Sequence, residues 1–102
     1  MPIEEVEHIW MNGALVPWGD AKIHVLAHVI HYGSALFEGI RCYKTPDGSA
    51  VFRLEDHVKR LVNSCKIYRM EPAHTAEELA RASLDTIRAN RLDECYVRPV
   101  VY

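Results

Sequence analysis

The sequence predicts an α+β fold, a mainly antiparallel sheet with two helices packed on one face. Three observations predict it. Short apolar runs separated by turn residues occupy the first half of the chain. Two amphipathic stretches with helical spacing follow, over 54–69 and 75–90. A last β-like run, Glu94 to Tyr102, returns after them. Strands grouped apart from helices mark helices segregated to one face of an antiparallel sheet. The 102 residues suffice for one small domain with a modest core.

Ile9-Trp10-Met11 and Ala14-Leu15-Val16 flank Asn12-Gly13. Asn-Gly between apolar runs is the strongest short-range hairpin signal, because both central turn positions need positive φ. Trp18-Gly19-Asp20 turns the chain, and Asp20 is placed to cap a short segment, Ala21 to Ile30. That segment fits helix and extended chain equally. Ser34 to Tyr43 has strand character, Thr45-Pro46-Asp47-Gly48 is a turn by composition, and Ala50-Val51-Phe52 supplies a return strand.

Leu54 to Arg69 is the clearest helix. Leu54, Val58, Leu61, Cys65 and Tyr68 recur at spacings of four, three, four and three, a single apolar stripe. Glu55 and Asp56 suit its positive N-terminal end, and Pro72 stops it. The second helix starts at Thr75, with Glu78 three residues on as a capping box. Ala76, Ala80, Leu84 and Ile87 give its buried face, and Asn90 its stop.

Composition bounds the function. A chain that is 49% hydrophobic and 25% charged, with net charge −2, is an ordinary globular protein. It has no overall attraction to nucleic acid or to an anionic membrane. No run approaches the roughly 20 apolar residues of a membrane span. The opening MPIEEVEHIW is acidic where a secretion signal would be basic, so a cytoplasmic location is expected. Cys42, Cys65 and Cys95 are odd in number and widely spaced, which predicts free thiols. The final run stops on Val-Val-Tyr without a polar tail, which reads as a boundary with something larger.

Candidate chemistry gathers in His31–Tyr43. Period-two alternation places Phe37, Gly39, Arg41 and Tyr43 on one face, and Glu38, Ile40 and Cys42 on the other. Charges inside an apolar run suit the wall of a small-molecule pocket. A Glu38–Arg41 salt bridge, or separate surface charges, accounts for them equally well.

In the last run Tyr96, Arg98, Val100 and Tyr102 share a face. An arginine between tyrosines is a good carboxylate receptor, because its planar fork offers paired donors. An exposed edge-strand arginine beside Pro99 is the plainer account of the strand taken alone. Arg60, next to the helical stripe, reads as part of a solvated face or as a phosphate anchor. His24, His28 and His31 would share a helix face, but without a carboxylate, cysteine or HExxH pattern no metal site is expected. Glycine-rich phosphate loops, the GxSxG elbow and basic-aromatic patches are absent.

Taken together, these segments resemble the start of a branched-chain amino acid aminotransferase, of the fold-type IV class that uses pyridoxal 5'-phosphate. The resemblance rests on Ile9-Trp10-Met11-Asn12-Gly13, and on His31-Tyr32-Gly33 with Phe37-Glu38-Gly39-Ile40-Arg41. It rests too on Phe52-Arg53 with His57 and Arg60-Leu61, on Lys66-Ile67-Tyr68, and on Tyr96-Val97-Arg98-Pro99. It implies transamination of leucine, isoleucine and valine with 2-oxoglutarate.

Site roles come from the resemblance alone. It implies that Arg60 holds the cofactor phosphate and that Phe37 and Gly39 line the pocket for the aliphatic side chain. Tyr96 and Arg98 would recognise the substrate carboxylate, notably the second one of 2-oxoglutarate or glutamate. Tyr32 would stand near the pocket of the partner subunit in a homodimer or higher oligomer. Glu38 and Arg41 would hold the wall in place.

The family's cofactor-binding lysine lies beyond position 102, and Lys22, Lys44, Lys59 and Lys66 do not stand in its motif. Residues 1–102 therefore read as the small N-terminal domain of a two-domain enzyme, with no catalytic residue of its own and no activity in isolation. The alternatives are a non-catalytic dimerisation domain, or a D-amino acid aminotransferase or aminodeoxychorismate lyase. The Phe37–Arg41 segment favours the branched-chain enzymes.

Overall fold

The computed structural model describes residues 3–102. The α+β class holds, and every strand pair is antiparallel. Among the described residues the strands form three small sheets and not one continuous sheet.

Strands β1 (His8–Met11) and β2 (Ala14–Pro17) make the first hairpin, closing with Met11 opposite Ala14. Asn12 and Gly13 take φ of 52° and 102°, as a two-residue hairpin turn requires. Trp18–Asp20 forms one turn of 3₁₀ helix, so Asp20 lies inside a turn and does not start a helix. The ambiguous segment after it is irregular as far as Ala27, then forms the short helix α1 (His28–Tyr32), closed by Gly33 at φ 65°.

The predicted strand over 34–43 is two strands, β3 (Leu36–Phe37) and β4 (Ile40–Thr45). The interruption falls at Glu38-Gly39, where the Glu38 N–H donates to the Pro99 carbonyl at 3.1 Å. β5 (Gly48–Val51) returns beside β4 with Thr45 opposite Gly48, so the turn is Pro46-Asp47 and Phe52 lies outside the strand.

Helix α2 spans Leu54–Ile67, two residues shorter than predicted. Pro72 does not end it. Arg69 does, at φ 55°, with the Met70 N–H bonded to the Cys65 carbonyl and the Arg69 N–H to that of Lys66. These paired bonds satisfy carbonyls that a helix end otherwise leaves open. Helix α3 (Ala76–Ala89) starts at the Thr75 cap, whose hydroxyl accepts the Glu78 N–H at 3.1 Å. It ends in the same way, with Arg91 at φ 54°. Asn90 exchanges two side-chain hydrogen bonds with the His8 backbone, tying α3 to the first hairpin.

The predicted strand over 94–102 is also two, β6 (Cys95–Val97) beside β4 and β7 (Val100–Val101) beside β3. Pro99, which has no N–H to pair, lies in the gap. Alternation survives the gap, since Tyr96, Arg98, Val100 and Tyr102 are all exposed.

Ile40 and Cys42 from β4, Val58, Leu61 and Cys65 from α2, and Ala82 and Ile87 from α3 form the core. Two helix faces differ from the sequence pattern. Tyr68 is exposed, and on α3 the buried residues are Ala82, Ser83 and Ile87, with Ala76, Ala80 and Leu84 half-buried. The Ser83 hydroxyl donates to the Leu79 carbonyl, so its burial leaves no unpaired polar group. The three cysteines are free, and Cys42 stands opposite Cys95 across β4 and β6. Burial, aided by Cys42, pushes the Cys95 thiol up to about 11.

Candidate active-site wall

The two strand breaks face each other. Phe37 pairs with Val100 and Ile40 with Val97, so Glu38-Gly39 lies opposite Arg98-Pro99. This brings four of the predicted site residues, Phe37, Gly39, Tyr96 and Arg98, onto one surface. A side chain at Gly39 would overlap the Tyr96 hydroxyl, so glycine here admits a close aromatic neighbour. Arg98 Nη2 donates to the Tyr96 oxygen at 2.7 Å, and its guanidinium lies 4.2 Å from the Phe37 ring centroid. Arg41 stacks on the Tyr96 ring from 5.6 Å.

Phe37 and Tyr96 are 57% and 49% exposed. The surface is an open aromatic shelf with a guanidinium resting on it. Such stacking is favourable for arginine, and it leaves several of the five N–H donors available to a carboxylate.

Behind the shelf, Glu38 points the other way. Its side chain is 7% exposed and accepts Arg60 Nη2 at 2.6 Å, Arg60 Nε at 2.9 Å and His57 Nδ1–H at 2.8 Å. The Arg60 hydrogen bond, helped by His57 and opposed by burial, holds the Glu38 carboxyl below its usual range. The same contact raises the already high pKa of Arg60. Arg60 itself is 68% exposed, and among the described residues its Nη1 makes no hydrogen bond. The Glu38–Arg41 pairing considered from sequence is not made, because Arg41 lies on the opposite face of the strand.

Tyr32 lies at the end of α1, exposed and stacked on His28 with ring centroids 4.5 Å apart. His24 precedes that helix and accepts the Leu26 N–H, so the three histidines do not share a helix face. The Glu38–His57–Arg60 cluster was not foreseen. Its signal was present: residues 57 and 60 stand three apart on one helix face, and alternation aims Glu38 toward the core. Among the described residues no helix is long and apolar enough to cross a membrane.

The chain is 46% identical to the branched-chain-amino-acid aminotransferase of Salmonella typhimurium over all 102 residues, which is 33% of that protein. The chain thus spans about a third of the length of the curated relatives it matches. Among solved structures, the Escherichia coli branched-chain amino acid aminotransferase superposes with a TM-score of 0.94 at 46% identity, covering 96% of this chain and 33% of that one. The Thermobaculum terrenum enzyme, in its PLP-form, superposes with a TM-score of 0.85 at 34% identity over 96% and 33% of the two chains. The profile of the family "Amino-transferase class IV" matches residues 35–102, from the first strand of the shelf to the last. The chain belongs to the class IV aminotransferase family.

Proposed function

We propose that this chain is the small N-terminal domain of a longer pyridoxal 5'-phosphate-dependent enzyme. That enzyme transfers the amino group of leucine, isoleucine or valine to 2-oxoglutarate. The observation that carries the reading is the Arg98 guanidinium stacked on Phe37 and hydrogen-bonded to Tyr96 above Gly39. An aliphatic side chain and a second carboxylate must use the same place in such an enzyme. This surface offers an apolar ring to the first and a donor fork to the second. With an aliphatic substrate, Arg98 keeps its bond to Tyr96 and its contact with water. With glutamate or 2-oxoglutarate, the fork turns to the carboxylate.

The donor set also fits the cofactor. A phosphate suits the outward edge of Arg60, whose inner edge is occupied by Glu38. When bound, the cofactor supplies the electron sink that makes loss of the substrate Cα proton feasible. The residue that moves that proton belongs to the part of the parent beyond this chain. Tyr32, exposed at the end of α1, stands near the pocket of a second copy in a homodimer or higher oligomer.

The full-length protein, given leucine and 2-oxoglutarate, should form glutamate. Failure with this pair, alongside activity on a D-amino acid or on aminodeoxychorismate, would replace the substrate assignment. The isolated chain, mixed with pyridoxal 5'-phosphate and treated with borohydride, should gain no stable adduct at a single lysine. Such an adduct would overturn the division of labour between the two parts.

A further inference from the structure

The geometry points to Glu38 as a positioning residue that sets Arg60 for the cofactor phosphate. This rests on the reading of Arg60 as the phosphate anchor.

Arg60 is a long, flexible side chain on an exposed helix face. Left to itself it would sample many rotamers and lose that freedom on binding an anion. It is not left to itself. Its Nε and Nη2 edge is clamped on the Glu38 carboxylate, at 2.9 and 2.6 Å. This is the bidentate arrangement that fixes a guanidinium plane. His57, one helical turn earlier, donates to Glu38 Oε1, the oxygen that Arg60 Nη2 also reaches, and steadies the carboxylate. The Glu38 backbone is held as well, through its N–H on the Pro99 carbonyl. One residue thus joins the proposed phosphate anchor to the strand break that carries Arg98. Nη1 is the edge left for a ligand.

Two effects of Glu38 oppose each other. Its negative charge next to Arg60 weakens the attraction for a phosphate. Its clamp removes the ordering cost of the arginine. Arg60 is open to solvent, where charge effects are screened, whereas the rotamer cost is not. Positioning therefore wins.

The test uses the full-length protein stripped of cofactor. Pyridoxal 5'-phosphate and pyridoxal, which lacks the phosphate, are titrated separately, and the ratio of their affinities reports the phosphate contact. Glu38→Gln should weaken pyridoxal 5'-phosphate by about three- to tenfold and leave pyridoxal unchanged. Glu38→Asp retains the charge but falls short of Arg60, and should lower the same ratio. It carries the test if Glu38→Gln does not fold. Tighter binding of the phosphorylated ligand, equal loss for both ligands, or an unchanged ratio would each overturn the positioning role. Arg60→Ala separates the two claims. If it leaves the ratio unchanged, the anchor reading fails. If it lowers the ratio while the Glu38 variants do not, only the inference about Glu38 fails.

Discussion

Arg98 rests on its hydrogen bond to Tyr96 and on the Phe37 and Tyr96 rings, and it can leave them without becoming a buried unpaired charge. That mobility suits the proposed role, in which one arginine serves two kinds of substrate. Arg98→Ala in the full-length protein should therefore cost glutamate and 2-oxoglutarate about 2–4 kcal/mol in kcat/KM, the value of a lost charged contact. Leucine should lose much less, and steady-state kinetics on both substrate pairs will compare them. Equal losses would remove the carboxylate role. Glu38 makes a different prediction. Its folded pKa lies below the ordinary 4.5, so its contribution to stability is complete above that value and is lost as pH falls through the folded one. Because Arg60 is solvent-exposed, that contribution is discounted to about 1 kcal/mol. Urea unfolding of the full-length protein and its Glu38→Gln variant should differ by this amount at neutral pH. The two should converge as the solution becomes acidic.

At the scale of elements, the local signals were the readable ones. Asn12-Gly13 gave the first hairpin, and Thr75 with Glu78 the start of α3, because each feature is decided within a few residues. Thr75→Ala should cost about 1 kcal/mol of stability, measured by the fall in melting temperature, since one helix N–H loses its acceptor. What sequence could not display was that the two strand breaks meet. Pro99 marks one of them locally, but Glu38 is bonded to it across a separation of about sixty residues. The helix ends divide. Asn90 caps α3 as its type suggests, whereas Pro72 lies beyond the end of α2, and both ends are completed by arginines in the left-handed region, which sequence pattern disfavours. The buried face of α3 shifted to Ala82 and Ser83, where small residues accept close packing.

At the scale of the molecule, the pattern of motifs revealed the family, but the site lies in pairings between motifs. Phe37 with Arg98 and Glu38 with Arg60 join segments that no window of sequence compares. The exposed apolar surface, including Leu26, Tyr32, Phe37 and Tyr96, is large for so small a core. On the proposed division into two parts, the chain expressed alone should bind a hydrophobic fluorescent dye strongly, and the full-length protein should not. A dim signal from the isolated chain would mean that these faces close on one another. The hairpin tip carries one more consequence. Glycine has no side chain to shield its amide nitrogen, so an Asn-Gly step is the sequence at which asparagine most readily cyclises and deamidates. At residues 12 and 13 the closed hairpin holds the backbone in one conformation. Cyclisation needs backbone freedom, so opening of the hairpin speeds it. Acidic charge variants accumulating at Asn12 on storage would thus act as a slow clock of how often this end of the protein comes apart.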